Sequence, residues 1–412
     1  MVKKIKVGVL SVFVLLLVGK RELTGLAESA SDISKMPQPP TIFAQAAVMM
    51  DGENGRILYE KNAEKILPMA STTKIMTCIV ALEQADMNET VTVSEYAASM
   101  PDVQLNIRAG ERYRMQDLLY SLMLESHNDS AVAIAEAVAG SEGAFAKMMN
   151  QKARDIGCSD TNFVTPNGLD SRNMETGDIH GTTAKDLAMI MRYCVRLSPK
   201  REMFLEITGA PSYTFSDLDR TRSFSCINHN TLLTSMEGVL SGKTGFTNGA
   251  GYCYVGAVKR NDKNFICALL GSGWPPNKTY KWQDMRKLIT YGDGQFDNYK
   301  IELKPLDLNR IIVTNGTKDN VDIKMALSEN NTAFPKYVLM REDENIMIRT
   351  AIRKQLQAPL AEGMAVGQVE YCLGDHVLAC IPIVTAESVD QWSLEFCLKT
   401  LLKQFLFCYN TG

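Results

Sequence analysis

Two strand–turn–strand patterns, far apart in the chain, constrain its fold most. The first is AQAAVMMD, the turn GENG and RILYEKN, spanning residues 44–62. The second is GYCYVGAV, the turn KRNDK and NFICALLG, spanning residues 251–271. Between them the pattern is helical. Ile75 to Leu82 is an unbroken apolar run, and QDLLYSLMLES and DSAVAIAEAVAG carry helical spacing. Thr183-Ala-Lys-Asp186 opens a further helix with a capping pattern, continuing as LAMIMRYCVRL, and YKWQDMRKLITYG follows the second hairpin. Hairpins enclosing a block of helices predict an α+β domain, one antiparallel sheet with helices packed on it.

From about residue 298 the texture changes. Short runs (KIELKP, RIIVTNG, YVLM, IMIRTAI, GQVEYCLG, HVLACIPIV) alternate with turn signals such as Asn315-Gly316, the signature of a small all-β domain. The 412 residues therefore divide into a predicted signal peptide 1–27, a Ser/Pro/Ala-rich linker 28–41, an α+β domain 42–297, a β-rich domain 298–388 and a helical tail 391–410.

The N-terminus carries Lys3, Lys4 and Lys6 before an apolar run from Val7 to Val18, with Gly25-Leu26-Ala27 as a candidate cleavage site. This is the layout of a secretory signal. Lys20-Arg21-Glu22 leaves an uncleaved N-terminal anchor open; either reading predicts export. The formal net charge of −3 gives no reason to expect a nucleic-acid partner. Ten cysteines show no framework spacing and mostly sit inside apolar runs, as small buried hydrophobes do. A Cys372–Cys380 bridge stays open. The four histidines, at 127, 180, 229 and 376, form no recognisable ligand motif, so neither metal nor cofactor is expected.

One short stretch raises a chemical question. In PMASTTKIMT, Ser71 and Lys74 stand three residues apart where a helix begins. Alone, the spacing is more simply read as an N-cap serine followed by an exposed lysine. Two further motifs change that. Ser126-His127-Asn128 lies between two helical stretches, and Lys243-Thr244-Gly245 precedes a strand. Each is weak alone, but the three in this order and context are specific to active-site-serine penicillin-recognising enzymes.

The chain resembles the low-molecular-mass penicillin-binding proteins that are D-alanyl-D-alanine carboxypeptidases, peptidase family S11. The likeness rests on ASTTKIMT, ESHND, TNFVTPNGL, HGTTAKDLA, NHNTLL, KTGFTNGAGYCYVGAV and, in the β domain, AEGMAVGQVEY. It implies a transpeptidase-like catalytic domain followed by the family's β domain. It also implies a reaction: removal of the terminal D-alanine from peptidoglycan stem pentapeptides through an acyl-enzyme, which limits cross-linking, with β-lactams as covalent inhibitors. By the same resemblance Ser71 is the nucleophile, Lys74 its base and Ser126 a proton relay. Asn128 holds the substrate amide, Lys243 and Thr244 grip the terminal carboxylate, and Gly245 lets the strand approach. The backbone N–H groups of Ser71 and Phe246 form the oxyanion hole. A class A-like β-lactamase would need a Glu-x-x-Leu-Asn element between residues 130 and 242, where there is none. A catalytically inactive wall-binding protein would tolerate loss of the motif residues, which are intact.

The chemistry is demanding. Residues at i and i+3 lie on one helix face, about 5–6 Å apart at Cβ. A lysine serves as base only when neutral, which needs about three units of depression, or about 4 kcal/mol. A second ammonium ~4.5 Å away at an effective dielectric of ~20 supplies about 3.7 kcal/mol. Lys243 is the expected source, with burial adding to it. Two positions depart from the family pattern. His127 stands where glycine is usual and is expected to be partly exposed; His229 stands where a basic residue is frequent.

The tail SLEFCLKTLLKQFLFCY places Leu394, Cys397, Leu398, Leu401, Leu402, Phe405, Cys408 and Tyr409 on one helical arc. Its internal charges oppose a membrane span. An amphipathic helix lying on the outer face of the cytoplasmic membrane, with Trp392 and Tyr409 as interfacial residues, is expected.

Overall fold

The computed structural model describes residues 38–174, 176–301, 306–327 and 337–409, together with the two-residue strand Val14–Leu15; for that strand and for 403–409 it describes the backbone alone. Apart from Val14–Leu15, the expected signal peptide lies outside the described residues, as does most of the expected linker. The chain forms two compact units, Ser31–Asn298 and a second made of Tyr299–Gly412 with Met1–Ala30.

Both predicted hairpins of the first unit join one five-stranded antiparallel sheet. Its order is Ile57–Lys61, Ala46–Asp51, Lys263–Leu270, Gly251–Arg260, Val239–Thr247. The hairpins meet at the centre, where Val48 lies opposite Ala268. Every residue of Ala46–Asp51 is buried. The strand is covered on both faces, so its sequence reads as a continuous apolar run rather than an alternation. On one side, Ala46, Val48 and Met50 join the main core with the helices Lys74–Gln84, Met115–Leu124 and Asn128–Ala139. On the other, the helix Tyr280–Gln295 lies so close that a Cβ on Gly292 would come within 2.8 Å of Met49 Sδ.

The capping pattern at Thr183 works as expected: its side chain accepts from Asp186 N at 3.0 Å and starts the helix Ala184–Arg192. Two of the longer helices escaped the sequence reading, Glu142–Ile156 and Arg201–Gly209, as did the single-turn helices Glu95–Ala98 and Leu232–Ser235. The first is bounded by an N-cap Ser141 and by Gly157 at φ +92°, signals that were present but unaccompanied by a long apolar run.

The second unit is all-β before its final helix. One sheet runs Val14–Leu15, Ile346–Ile352, Ala365–Leu373, His376–Thr385, Ile323–Met325; another runs Asn320–Val321, Ile311–Thr314, Gln355–Gln357. Val321, Leu356, Val369, Ile381 and Ile383 fill its core. The run KIELKP falls largely outside the described residues. The strands Asn320–Val321, Ile323–Met325 and Gln355–Gln357 were not foreseen; they are too short to show a period. The helix Leu394–Tyr409 closes the chain.

Among the described residues seven cysteines are buried, among them Cys78, Cys253 and Cys267, as hydrophobes would be. The Cys372–Cys380 bridge does not form. Cys372 is buried and Cys380 exposed, their cross-strand partners are Val377 and Glu370, and both are free thiols.

Candidate active site

Ser71 sits in a 3₁₀ turn, Ala70–Thr73, which runs directly into the helix Lys74–Gln84. It is not an N-cap: no side chain caps this turn or this helix, and Ala70 adopts a left-handed backbone at φ +48°. Such a conformation costs about 1–3 kcal/mol in a non-glycine residue and persists only where its surroundings impose it. Here they do. A Cβ on Gly168, itself at φ +86°, would fall 2.2 Å from Ala70 O, and a Cβ on Gly245 would fall 2.8 Å from Ser71 N. The turn is thus clamped between the loop at Gly168 and the strand Val239–Thr247, and only glycine fits on either side.

Lys74 is fully buried. Its Nζ lies 3.0 Å from Ser71 Oγ, 2.8 Å from Asn128 Oδ1 and 2.5 Å from the Asn167 carbonyl. Asn128 is oriented by its own amide, whose Nδ2 donates to the carbonyls of Pro101 and Asp102 at 3.0 and 3.1 Å. Its Oδ1 is therefore the atom facing the lysine. Carbonyl oxygens only accept. A neutral amine has two hydrogens, and these two acceptors take both. The lone pair then faces the Ser71 hydroxyl.

Burial holds the Lys74 amine well below its usual range, and the charge of Lys243 lowers it further; Asp129 opposes both. The order of causes differs from the sequence expectation, which gave Lys243 the leading part. Desolvation leads because the side chain has no exposed surface. Lys243 is itself buried and pushed down to about 7, so near neutral pH it is not a full permanent charge. Its Nζ donates to Thr244 O at 3.0 Å.

Ser126 lies at the end of the helix Met115–Leu124, in a left-handed conformation at φ +72°. Its Oγ is buried and has no hydrogen-bond partner among the described residues. Asn128 begins the next helix. Asp129 is fully buried and accepts from the backbone N–H groups of Leu105, Ile107 and Ser130, which ties the long loop before it to this helix start. Thr244 is half-buried, and Phe246 is exposed beside Tyr252, with ring centroids 4.6 Å apart.

His127 is a correction. It is not partly exposed but 4% exposed, with Nδ1 2.8 Å from Ser121 Oγ and Nε2 3.2 Å from Glu125 Oε2. Burial keeps its imidazole below the usual range. His229 is exposed, and its backbone N–H donates to Leu124 O.

Residues 162–170 also help to build the site, and the sequence reading gave them no role. The Asn167 carbonyl touches both Lys74 and Ser71, the latter at 3.5 Å. Asp170 accepts from Thr247 Oγ1 at 2.8 Å, joining this loop to the end of the Lys-Thr-Gly strand. His180 anchors the loop from within: its Nδ1 accepts from Val164 N at 2.9 Å, so its Nε2 carries the proton and donates to Thr73 Oγ1. A neutral, fully hydrogen-bonded imidazole is what burial favours here, and it is pushed down to about 4. The signal available in sequence was Pro166-Asn167-Gly168, a turn that aims a carbonyl.

Comparison with known proteins bears on the same segments. A family model described as D-alanyl-D-alanine carboxypeptidase matches residues 33–273, and one described as penicillin-binding protein 5, C-terminal domain, matches residues 313–391. The chain belongs to the D-alanyl-D-alanine carboxypeptidase family. It is a serine peptidase of that family by membership. It is 28% identical to the carboxypeptidase DacF of Bacillus subtilis over 84% of this chain and 86% of the relative, and 30% identical to DacA of Haemophilus influenzae over 90% and 91%. Penicillin-binding protein 5 from Haemophilus influenzae matches in structure with a TM-score of 0.67 and 27% identity, covering 86% of this chain and all of that one. A D-alanyl-D-alanine carboxypeptidase from Mycobacterium tuberculosis matches with a TM-score of 0.58 and 28% identity, over 63% of this chain and 95% of that one. Neither a β-lactamase nor an inactive wall-binding protein is favoured by these matches.

Proposed function

We propose that this member of the carboxypeptidase family hydrolyses the terminal peptide bond of stem peptides ending in D-Ala-D-Ala, with Ser71 as nucleophile and Lys74 as its general base. The observation that carries the reading is the Lys74 amine, buried, with two carbonyl acceptors for its two hydrogens and its third contact on Ser71 Oγ. The hydroxyl proton passes to that lone pair as Oγ attacks the carbonyl of the penultimate residue. The backbone N–H groups of Ser71 and Phe246 stabilise the developing oxyanion. The proton then travels to the departing D-alanine nitrogen by way of Ser126, whose buried hydroxyl has no competing partner among the described residues. Water cleaves the resulting ester and regenerates Ser71. Asn128 positions the substrate amide. Lys243 and Thr244 bind the terminal carboxylate, and an arriving anion draws a proton onto Lys243, whose buried amine is poised near neutrality.

Benzylpenicillin is the direct probe, being a strained acyl donor for the same nucleophile. Incubated with the protein, it leaves one ester on Ser71, located by peptide mapping, and Ser71→Ala takes up none. An adduct on another residue would overturn the assignment.

The tail supports a second part of the proposal, attachment to the outer face of a membrane. No described helix is long and apolar enough to cross one. Trp392, Leu394, Leu398, Leu401 and Leu402 are all more than half exposed, an apolar stripe suited to a lipid interface. Truncation after Asp390 should release active protein that otherwise leaves membranes with detergent but not with salt. Continued sedimentation of the truncated form, after confirmed removal of residues 1–27, would reject the tail as anchor.

A further inference from the structure

We propose that Glu125, His127 and Cys226 form a binding site for a divalent transition metal, zinc by ligand chemistry, directly beside the Ser126–Asn128 turn. Among the described residues, one group of three potential ligands converges: a Glu125 carboxylate oxygen, a His127 ring nitrogen and Cys226 Sγ, all within 4.8 Å of one another. Around a tetrahedral zinc, bonds of about 2.0–2.3 Å place such atoms roughly 3.3–3.6 Å apart. Closing on a metal therefore asks for movements of about 1 Å.

Three further observations point the same way. First, the ligands come from separate, well-held segments. Glu125 follows the helix Met115–Leu124, His127 is the N-cap residue of Asn128–Ala139, and Cys226 lies in the strand Ser223–Ile227. The Glu125 side chain is fixed by Ile227 N, which donates to Oε1 at 2.9 Å and leaves Oε2 for the site. Second, His127 has the outer contact that metal-bound imidazoles use. Nδ1 lies 2.8 Å from Ser121 Oγ, itself 2.8 Å from Ser130 Oγ; in the tautomer in which Nδ1–H donates to Ser121, the ring presents an unprotonated Nε2 toward Glu125. Third, Nε2 and a Glu125 carboxylate oxygen stand 3.2 Å apart, a gap bridged either by a hydrogen on Nε2 donated to Glu125 or by a metal ion. Cys226 Sγ, itself buried, supplies the soft third ligand that a proton would not need. The half-buried Glu125 side chain gives the site an approach from solvent.

Nitrogen, thiolate and carboxylate together suit zinc, with a water in the fourth position. Binding would release the Cys226 thiol proton and leave no redox change. A bound ion would hold residue 127 in place and, with it, the backbone that presents Ser126 and Asn128. The inference stands apart from the catalytic reading, because metal binding is measured without turnover.

The experiment uses the full-length protein freed of metal with chelator, then titrated with Zn²⁺ and separately with Co²⁺. Expected are one equivalent bound, a rise in Tm with zinc, and, with cobalt, a near-ultraviolet thiolate charge-transfer band with visible bands of tetrahedral intensity. Cys226→Ser should lose the charge-transfer band and bind zinc at least tenfold more weakly. Glu125→Gln, at a more accessible position, should weaken binding to a similar degree. Far-ultraviolet circular dichroism and a cooperative thermal transition report that each variant is folded. No saturable equivalent in the wild-type protein, or a cobalt spectrum that survives Cys226→Ser, would overturn the site, as would unchanged zinc affinity in folded Glu125→Gln.

Discussion

The helices Lys74–Gln84 and Leu394–Tyr409 are both predominantly apolar, and the fold treats them in opposite ways. Both are mostly apolar, the first through Ile, Met, Val, Leu, Ala and Cys, the second through Leu, Phe and Cys, and each carries lysine. In the first, every residue from Lys74 to Leu82 is buried, the lysine included. In the second, Leu394, Leu398, Leu401 and Leu402 are exposed, and Lys399 pairs with Glu395 at 2.7 Å in solvent. Apolar content therefore says that a helix wants cover. It does not say whether the cover comes from the chain itself or from elsewhere. The same difference separates the two lysines: burial favours the neutral form of the Lys74 amine, whereas Lys399 stays in solvent beside a carboxylate.

The sharpest way to break this comparison is at the lysines. Lys74→Arg keeps a cation on the buried helix but removes the possibility of a neutral base, because guanidinium does not deprotonate in working conditions. Acylation by benzylpenicillin should fall by about a thousandfold or more, the scale of losing a general base and its alignment. Lys399→Arg should leave the rate unchanged. Stopped-flow acylation of the two variants compares them; a Lys74→Arg protein that acylates normally would remove Lys74 from the base role.

The apolar residues make a second contrast. Ile79 has no exposed surface, and Ile79→Ala should cost about 2–5 kcal/mol through lost burial and a residual cavity. Leu401→Ala, at a side chain 62% exposed, should change stability by less than about 0.5 kcal/mol. Urea unfolding without membranes measures both. A large loss in Leu401→Ala would mean that the tail packs on protein.

The smallest effect sharpens the electrostatic part. Lys243 lowers the proton affinity of Lys74, second to burial. Removing its charge in Lys243→Ala raises the Lys74 pKa. A higher pH is then needed to free the base, so the acid limb of the acylation rate moves upward. Because burial is the larger cause, the displacement should be modest. A pH–rate profile with an unmoved acid limb would leave Lys243 with carboxylate binding alone.

Much of this molecule is legible in its residues. The hairpins around residues 50 and 260, the helix starting at Lys74 and the change of texture near residue 298 are local patterns with local causes: alternation or continuous apolarity in strands, helical spacing, turn residues. The three motifs are legible for the same reason, since each is a few residues long and its chemistry depends on residue type. Their meeting was inferred by resemblance and not by any local rule. What lies between residues that are distant in sequence was not legible. The Asn167 carbonyl on Lys74 spans 93 residues, and a backbone acceptor carries no side-chain signature. His127, standing where glycine is usual, was expected partly exposed; Ser121, Glu125 and Cys226 enclose it, from a helix, the end of that helix and a strand.

By itself, then, the sequence determined most of the longer strands and helices and where the chain changes from α+β to all-β, and through its motifs it pointed to the side chains proposed as nucleophile, base and carboxylate grip. The tertiary structure decided which of the lysines is dehydrated, in what order burial and charge depress it, and which carbonyls claim its hydrogens. The reason is physical. Residue identity sets what a group is able to do, but solvation and distance set which protonation state it holds, and those arise only when segments far apart in the chain close around it.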